Sequence, residues 1–112
     1  MNLKRQLQRD MRDAMRANDQ QRVNVIRMLL AAIEHAQESM GKQAFASSNS
    51  DGMNIQPDRH QVLSEQDLQD IILNEVQHRR EAVDLFRVGG QKKRVEIEET
   101  EIAILEEYLT RI

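Results

Sequence analysis

The sequence has no cysteine and no tryptophan, a single proline, four glycines and three aromatic residues, Phe45, Phe86 and Tyr108. Without cysteine the chain can form no disulfide, no thiolate metal site and no cysteine nucleophile, and it suits a reducing cytoplasm. The opening MNLKRQLQRDM lacks the apolar core of a secretion signal, and no apolar run is long enough to cross a bilayer. A cytoplasmic protein with no membrane partner is expected. Alternation of β-branched and aromatic residues is scarce, which argues against strands. With so few rings the core has to be aliphatic and methionine-filled. No nucleophilic triad, glycine-rich phosphate loop or paired catalytic acid is legible, so no catalytic residue and no cofactor are expected.

What is present is helix-forming: Leu, Ile, Val, Met, Ala, Glu, Gln and Arg dominate. The 112 residues suffice for one domain, 1–112, and are few for two. Charge is unevenly placed. Residues 1–30 hold seven Lys/Arg against three Asp/Glu, whereas residues 95–112 hold six Glu against Arg111. A basic beginning and an acidic end imply internal pairing or a polar partner surface.

Periodicity predicts four helices, over about 2–17, 20–40, 65–88 and 92–111, in an all-α, antiparallel, bundle-like domain. The first has an apolar stripe of Leu3, Leu7, Met11, Ala14 and Met15, opposite a stripe of Arg5, Arg9, Arg12 and Arg16. Asn18-Asp19 breaks the pattern, and Asp19 is a suitable N-cap. The second helix is apolar over more than half its circumference, through Val23, Val25, Ile26, Met28, Leu29, Leu30 and Ile33. It should therefore be central, with Gly41 as its stop. Residues 41–63, with Ser47 to Gly52 and Pro57, read as a long flexible loop. Ser64 and Asp67 form a capping-box start for the third helix, whose arc is Leu68, Ile72, Val76, Val83 and Phe86. Glu75 and Arg79 fall inside that arc and should be ion-paired. Gly89-Gly90 ends it. The fourth helix carries Val95, Ile102, Leu105, Leu109 and Ile112, flanked by Ile97, Ile104 and Tyr108. Glu98 lies within that stripe and is the expected long-range partner of Arg79.

Several segments together resemble a known family. They are Val25-Ile26-Arg27-Met28-Leu29, then Glu75-Val76-Gln77-His78-Arg79-Arg80-Glu81 with the run on to Phe86 and Gly89, and Glu101 through Leu109. In order and spacing they resemble the YqeY-like proteins, which are related to the tail of GatB, the tRNA-binding subunit of glutamine-dependent Asp/Glu-tRNA amidotransferase. The chain departs from the family at Gly89-Gly90, where Gly-Arg is usual, and at Tyr108-Leu109-Thr110, where Tyr-Leu-Pro is usual. The family also continues into a second, smaller helical subdomain, whereas this sequence stops at Ile112. The resemblance implies a relative of carbon–nitrogen ligases that use glutamine as amido donor. Its partner would be tRNA or a component of a tRNA amidotransferase or synthetase.

Two basic clusters are candidate nucleic-acid contacts. Arg5, Arg9, Arg12 and Arg16 could bridge phosphates of a structured RNA, giving affinity without choice of sequence. Alternatively they form a solvated face or pair with the Glu-rich fourth helix. Lys92, Lys93 and Arg94 open the fourth helix, where its positive end adds to their charge. Glu75 and His78 have the spacing of half a di-iron motif, but no second copy exists, so no metal is expected. The alternative function is a helical protein-interaction module with no nucleic-acid role.

Overall fold

The computed structural model describes residues 2–49 and 63–112, with side chains for 2–40 and 63–112. Four helices make up the fold: α1 (Leu3–Arg16), α2 (Gln20–Asn49), α3 (Glu65–Val88) and α4 (Lys92–Leu109). Among the described residues there is no strand.

Both tight turns solve the same problem, the unbonded carbonyls at a helix end. Asn18 takes a left-handed conformation, φ 56°. The Asn18 and Asp19 amides then donate back to the Met15 and Ala14 carbonyls at 3.2 and 2.9 Å. Asp19 next caps α2, accepting from the Arg22 amide at 3.1 Å. At the other turn Gly90 adopts φ 71°. There the Gly90 and Gln91 amides donate to the Arg87 and Phe86 carbonyls at 3.1 and 2.9 Å. Nothing crowds the position a Gly90 Cβ would take, so the demand for glycine comes from the backbone alone. The α3 start is a reciprocal box. The Asp67 amide donates to Ser64 Oγ at 3.0 Å and the Ser64 amide donates to Asp67 at 2.9 Å. The bond from the Ser64 backbone holds the Asp67 carboxyl below the usual carboxylate range.

α2 is longer than its sequence pattern implies. It does not stop at Gly41 but continues to Asn49, so residues 41–49 are helical instead of loop. A helix-interior glycine costs about 1 kcal/mol relative to alanine, which weakens a helix without ending it. Lys42, Gln43, Ala44 and Ala46 are good helix formers that carry it on. The rest of the expected loop, including Pro57, lies outside the described residues, apart from Leu63, which packs against the core.

The helices form two antiparallel hairpins, α1–α2 and α3–α4, and α2 packs on each of the other three. The core draws on all four: Leu7, Ile26, Leu29, Ile72, Leu105 and Tyr108 are essentially sealed from solvent. Full burial of one such aliphatic side chain stabilises by roughly 1.5–3 kcal/mol. Three apolar residues assigned to core stripes or their flanks, Met15, Met28 and Ile97, are exposed instead. Each lies at the rim of its helix's buried arc. Tyr108 is the reverse: a flanking position in the pattern, it is 0% exposed. α4 is covered on two sides, by α3 and by α2, which widens its buried arc to include Ile104 and Tyr108.

Candidate nucleic-acid interface and the ionic seam

Arg79 is the one charged side chain buried among the described residues, 7% exposed. It donates from Nη1 to Glu75 at 3.1 Å and from Nε to Glu101 at 3.2 Å. Its other terminal nitrogen lies 3.4 Å from Met28 Sδ, so one guanidinium joins α2, α3 and α4. The long-range partner is Glu101, not Glu98. Register explains the change. α3 ends at Val88 and α4 begins at Lys92, so Arg79 and Glu101 stand the same nine residues from the turn, while Arg87–Glu99 (3.0 Å) and Arg80–Glu106 (3.6 Å) reach across obliquely. Glu98 lies three residues nearer the turn than Glu101, about 4.5 Å short along the axis. Burial raises the Glu101 carboxyl above the ordinary carboxylate range; Arg79 opposes this and nearby Glu98 adds to it.

A second link ties α1 to the far end of α4. The buried Tyr108 hydroxyl donates to Asp10 at 2.6 Å, and Arg111 donates to the same carboxylate oxygen at 3.2 Å. Burial, then the Asp10 hydrogen bond, push the Tyr108 phenol well above its usual range. Beside it, Arg22 of α2 grips Glu107 with two bonds, at 2.9 and 3.3 Å. Hydrogen bonding to Arg22 holds the Glu107 carboxyl below its usual range.

The α1 arginines behave differently. Arg5, Arg9, Arg12 and Arg16 are all exposed. Among the described residues Arg5, Arg9 and Arg12 have no carboxylate within ion-pair distance, and Arg16 only grazes Asp13 at 4.0 Å. Of the glutamates that could have neutralised this stripe, Glu99 is held by Arg87 and Glu106 by Arg80, and Glu96 pairs with no cation among the described residues. The contact between α1 and α4 runs the opposite way, with α1 supplying the acid, Asp10.

Lys92, Lys93 and Arg94 do not join that stripe. Asp10, next to Arg9, is fixed at the C-terminal end of α4, whereas these three open its N-terminal end. An 18-residue helix separates its ends by about 27 Å. Arg94 lies over the Phe86 ring, 5.8 Å from its centre. The α4 start has no side-chain cap and no acid in its first turn. It thus sets three cations at a helix's positive end, a mildly unfavourable arrangement.

One further basic residue of the first hairpin is also open. Arg27 is exposed and has no ion-pair partner among the described residues. It precedes Glu34 by two helical turns and so lies on the same side of α2. Glu34 holds Lys4 of α1 at 3.4 Å. Because α1 runs antiparallel, moving from Glu34 back to Arg27 moves from Lys4 on to Met11 and Arg12. Arg27 is therefore level with Met11, on the side of α1 that faces α2, whereas the arginine stripe lies on the opposite face. Nothing in the sequence revealed this, since it depends on the Lys4–Glu34 register.

No cluster of metal-ligating side chains exists among the described residues. Glu75 is held by Arg79, and His78 points to solvent on the exposed side of α3.

The molecule is an all-α domain of two helical hairpins, with Arg79, Arg80 and Arg87 of one paired with glutamates and Arg5, Arg9 and Arg12 of the other open to solvent. The chain belongs to the YqeY family: the family model described as Yqey-like protein matches residues 4–111. No curated protein matches the chain. Among the described residues no helix is long and apolar enough to cross a membrane.

Proposed function

We propose that this YqeY-like protein is a cytoplasmic, non-catalytic accessory module that binds tRNA through phosphate contacts. It would work alongside glutamine-dependent tRNA amidation, the carbon–nitrogen ligase chemistry to which its family resemblance points. One observation carries the reading: Arg5, Arg9 and Arg12 are exposed and lack a carboxylate partner among the described residues, while Arg79, Arg80 and Arg87 of the other hairpin each hold a glutamate. A row of unneutralised guanidinium groups binds polyanions by releasing their counterions. It can position a phosphate backbone without reading bases. The competing reading, a helical interaction protein with no nucleic-acid role, called for this stripe to lie against Glu96, Glu99 or Glu106. Glu99 and Glu106 are held by Arg87 and Arg80 instead.

The test is titration of tRNA with the wild-type chain and with Arg9→Glu/Arg12→Glu, at two salt concentrations. Binding should weaken about tenfold or more in the variant, with a shallower salt dependence. An unchanged Kd would remove tRNA binding by this face.

A further inference from the structure

We infer that Met28 is a site of oxidation to methionine sulfoxide and that Arg79 receives the added oxygen, so that oxidation tightens the joint between the two hairpins. Neither residue belongs to the α1 stripe, so nucleic-acid binding and oxidation stand or fall separately.

Arg79 has an incomplete set of partners. A guanidinium offers five N–H donors on three nitrogens. Nε and Nη1 meet oxygens of Glu101 and Glu75, at 3.2 and 3.1 Å. Among the described residues Nη2 meets only the Met28 sulfur, at 3.4 Å. A thioether sulfur is a weak acceptor. Arg79 is the one buried charge among the described residues, so a weak partner there is costly. An oxygen carried by that sulfur would be a full acceptor.

Met28 can acquire that oxygen. Its sulfur touches Arg79, yet the residue is 49% exposed, so a small dissolved oxidant has access from the solvent side. With hydrogen peroxide the step balances. A sulfur lone pair forms the new S–O bond, the O–O bond breaks, and the departing oxygen leaves as water after proton transfer. Sulfur is oxidised by two electrons and the peroxide is reduced. Inside a core a sulfoxide disrupts packing. Met28 lies at the rim of the buried arc of α2 instead, and its unbranched side chain can swing the new oxygen towards Nη2 without moving the helix. The weak thioether contact then becomes a charge-assisted hydrogen bond to oxygen. Arg79 already holds α3 and α4 through Glu75 and Glu101, so the stronger bond secures α2 to both.

The experiment treats the full chain with hydrogen peroxide until Met15 is fully oxidised, followed by peptide mass spectrometry. Met15 is the control for access: it is 54% exposed but lies on α1, which does not pack on α3. Met28 should gain one oxygen under the same conditions. Urea unfolding is measured before and after peroxide on wild type, Met28→Leu and Met28→Gln. The other methionines are common to all three, so differences among them isolate position 28. Peroxide should raise the wild-type midpoint relative to whatever shift it causes in Met28→Leu. Met28→Gln sets an amide oxygen beside Nη2 with no oxidant. Its folding equilibrium constant should exceed that of Met28→Leu by about fivefold, and peroxide should shift the two variants alike.

If Met28 stays unmodified while Met15 is converted, it is no oxidation site. If Met28 is converted and the wild-type midpoint does not rise relative to Met28→Leu, Arg79 does not receive the oxygen. Either result overturns the inference, as does a Met28→Gln chain no more stable than Met28→Leu.

Discussion

Arginine does opposite things in the two hairpins. In α3–α4, Arg79, Arg80 and Arg87 each face a glutamate across the seam: Glu101, Glu106 and Glu99. On α1, Arg5, Arg9 and Arg12 face water. All six sit on regular helices, so local conformation does not separate them. The difference is register. α4 brings its glutamates within reach of the α3 arginines, whereas α1 lies across the end of α4 and meets it through Asp10. Of these arginines only Arg79 is buried, and so only it should matter strongly to stability; the exposed pairs are worth about 1 kcal/mol or less each.

The largest expected effect follows from that. Arg79→Ala would leave Glu75 and Glu101 facing each other without their cation, and should destabilise the fold by about 3–5 kcal/mol in urea unfolding. The pH dependence has a definite sign. Burial already raises the Glu101 pKa in the folded state, and losing Arg79 raises it further. A group with a raised folded pKa gives stability that is present below its unfolded pKa and is lost as pH rises through the folded one. The deficit of Arg79→Ala should therefore narrow in acid. A loss under about 1 kcal/mol at neutral pH would make Arg79 no different from the exposed pairs.

The middle of the range belongs to the link between the hairpins. Tyr108→Phe removes the hydroxyl that donates to Asp10 and leaves Arg111 as that carboxylate's other partner. Hydrogen bonds to charged groups contribute about 1.5–3 kcal/mol, and the remaining Arg111 contact places the expected loss near the lower figure. Thermal unfolding of the variant measures it. No change would mean that α1 is held by its apolar contacts with α2 alone.

These differences also show what could be read from sequence. The turn at Asn18-Asp19, the glycine turn and the Ser64/Asp67 box were legible because each is a local chemical rule. So was the inward placement of Arg79, since a charge within an apolar arc has to be buried or paired. Its partner was not. Glu98 lies nearer the centre of the α4 apolar stripe, but Glu101 is level with Arg79, and level is a property of two helices together. The Tyr108–Asp10 bond joins residues 98 apart in the chain and left no periodic trace. The level of Arg27 against α1 is hidden for the same reason. α2 runs past Gly41 to Asn49 because one interior glycine costs less than the helix formers after it contribute.

The smallest expected effect on stability is also the most direct test of the account. Urea unfolding of Arg9→Glu/Arg12→Glu should match wild type within about 0.5 kcal/mol, because neither side chain is tied to the fold. The same preparation should lose its tRNA affinity. A loss of stability of 2 kcal/mol or more would show these arginines to be structural and contradict the central claim.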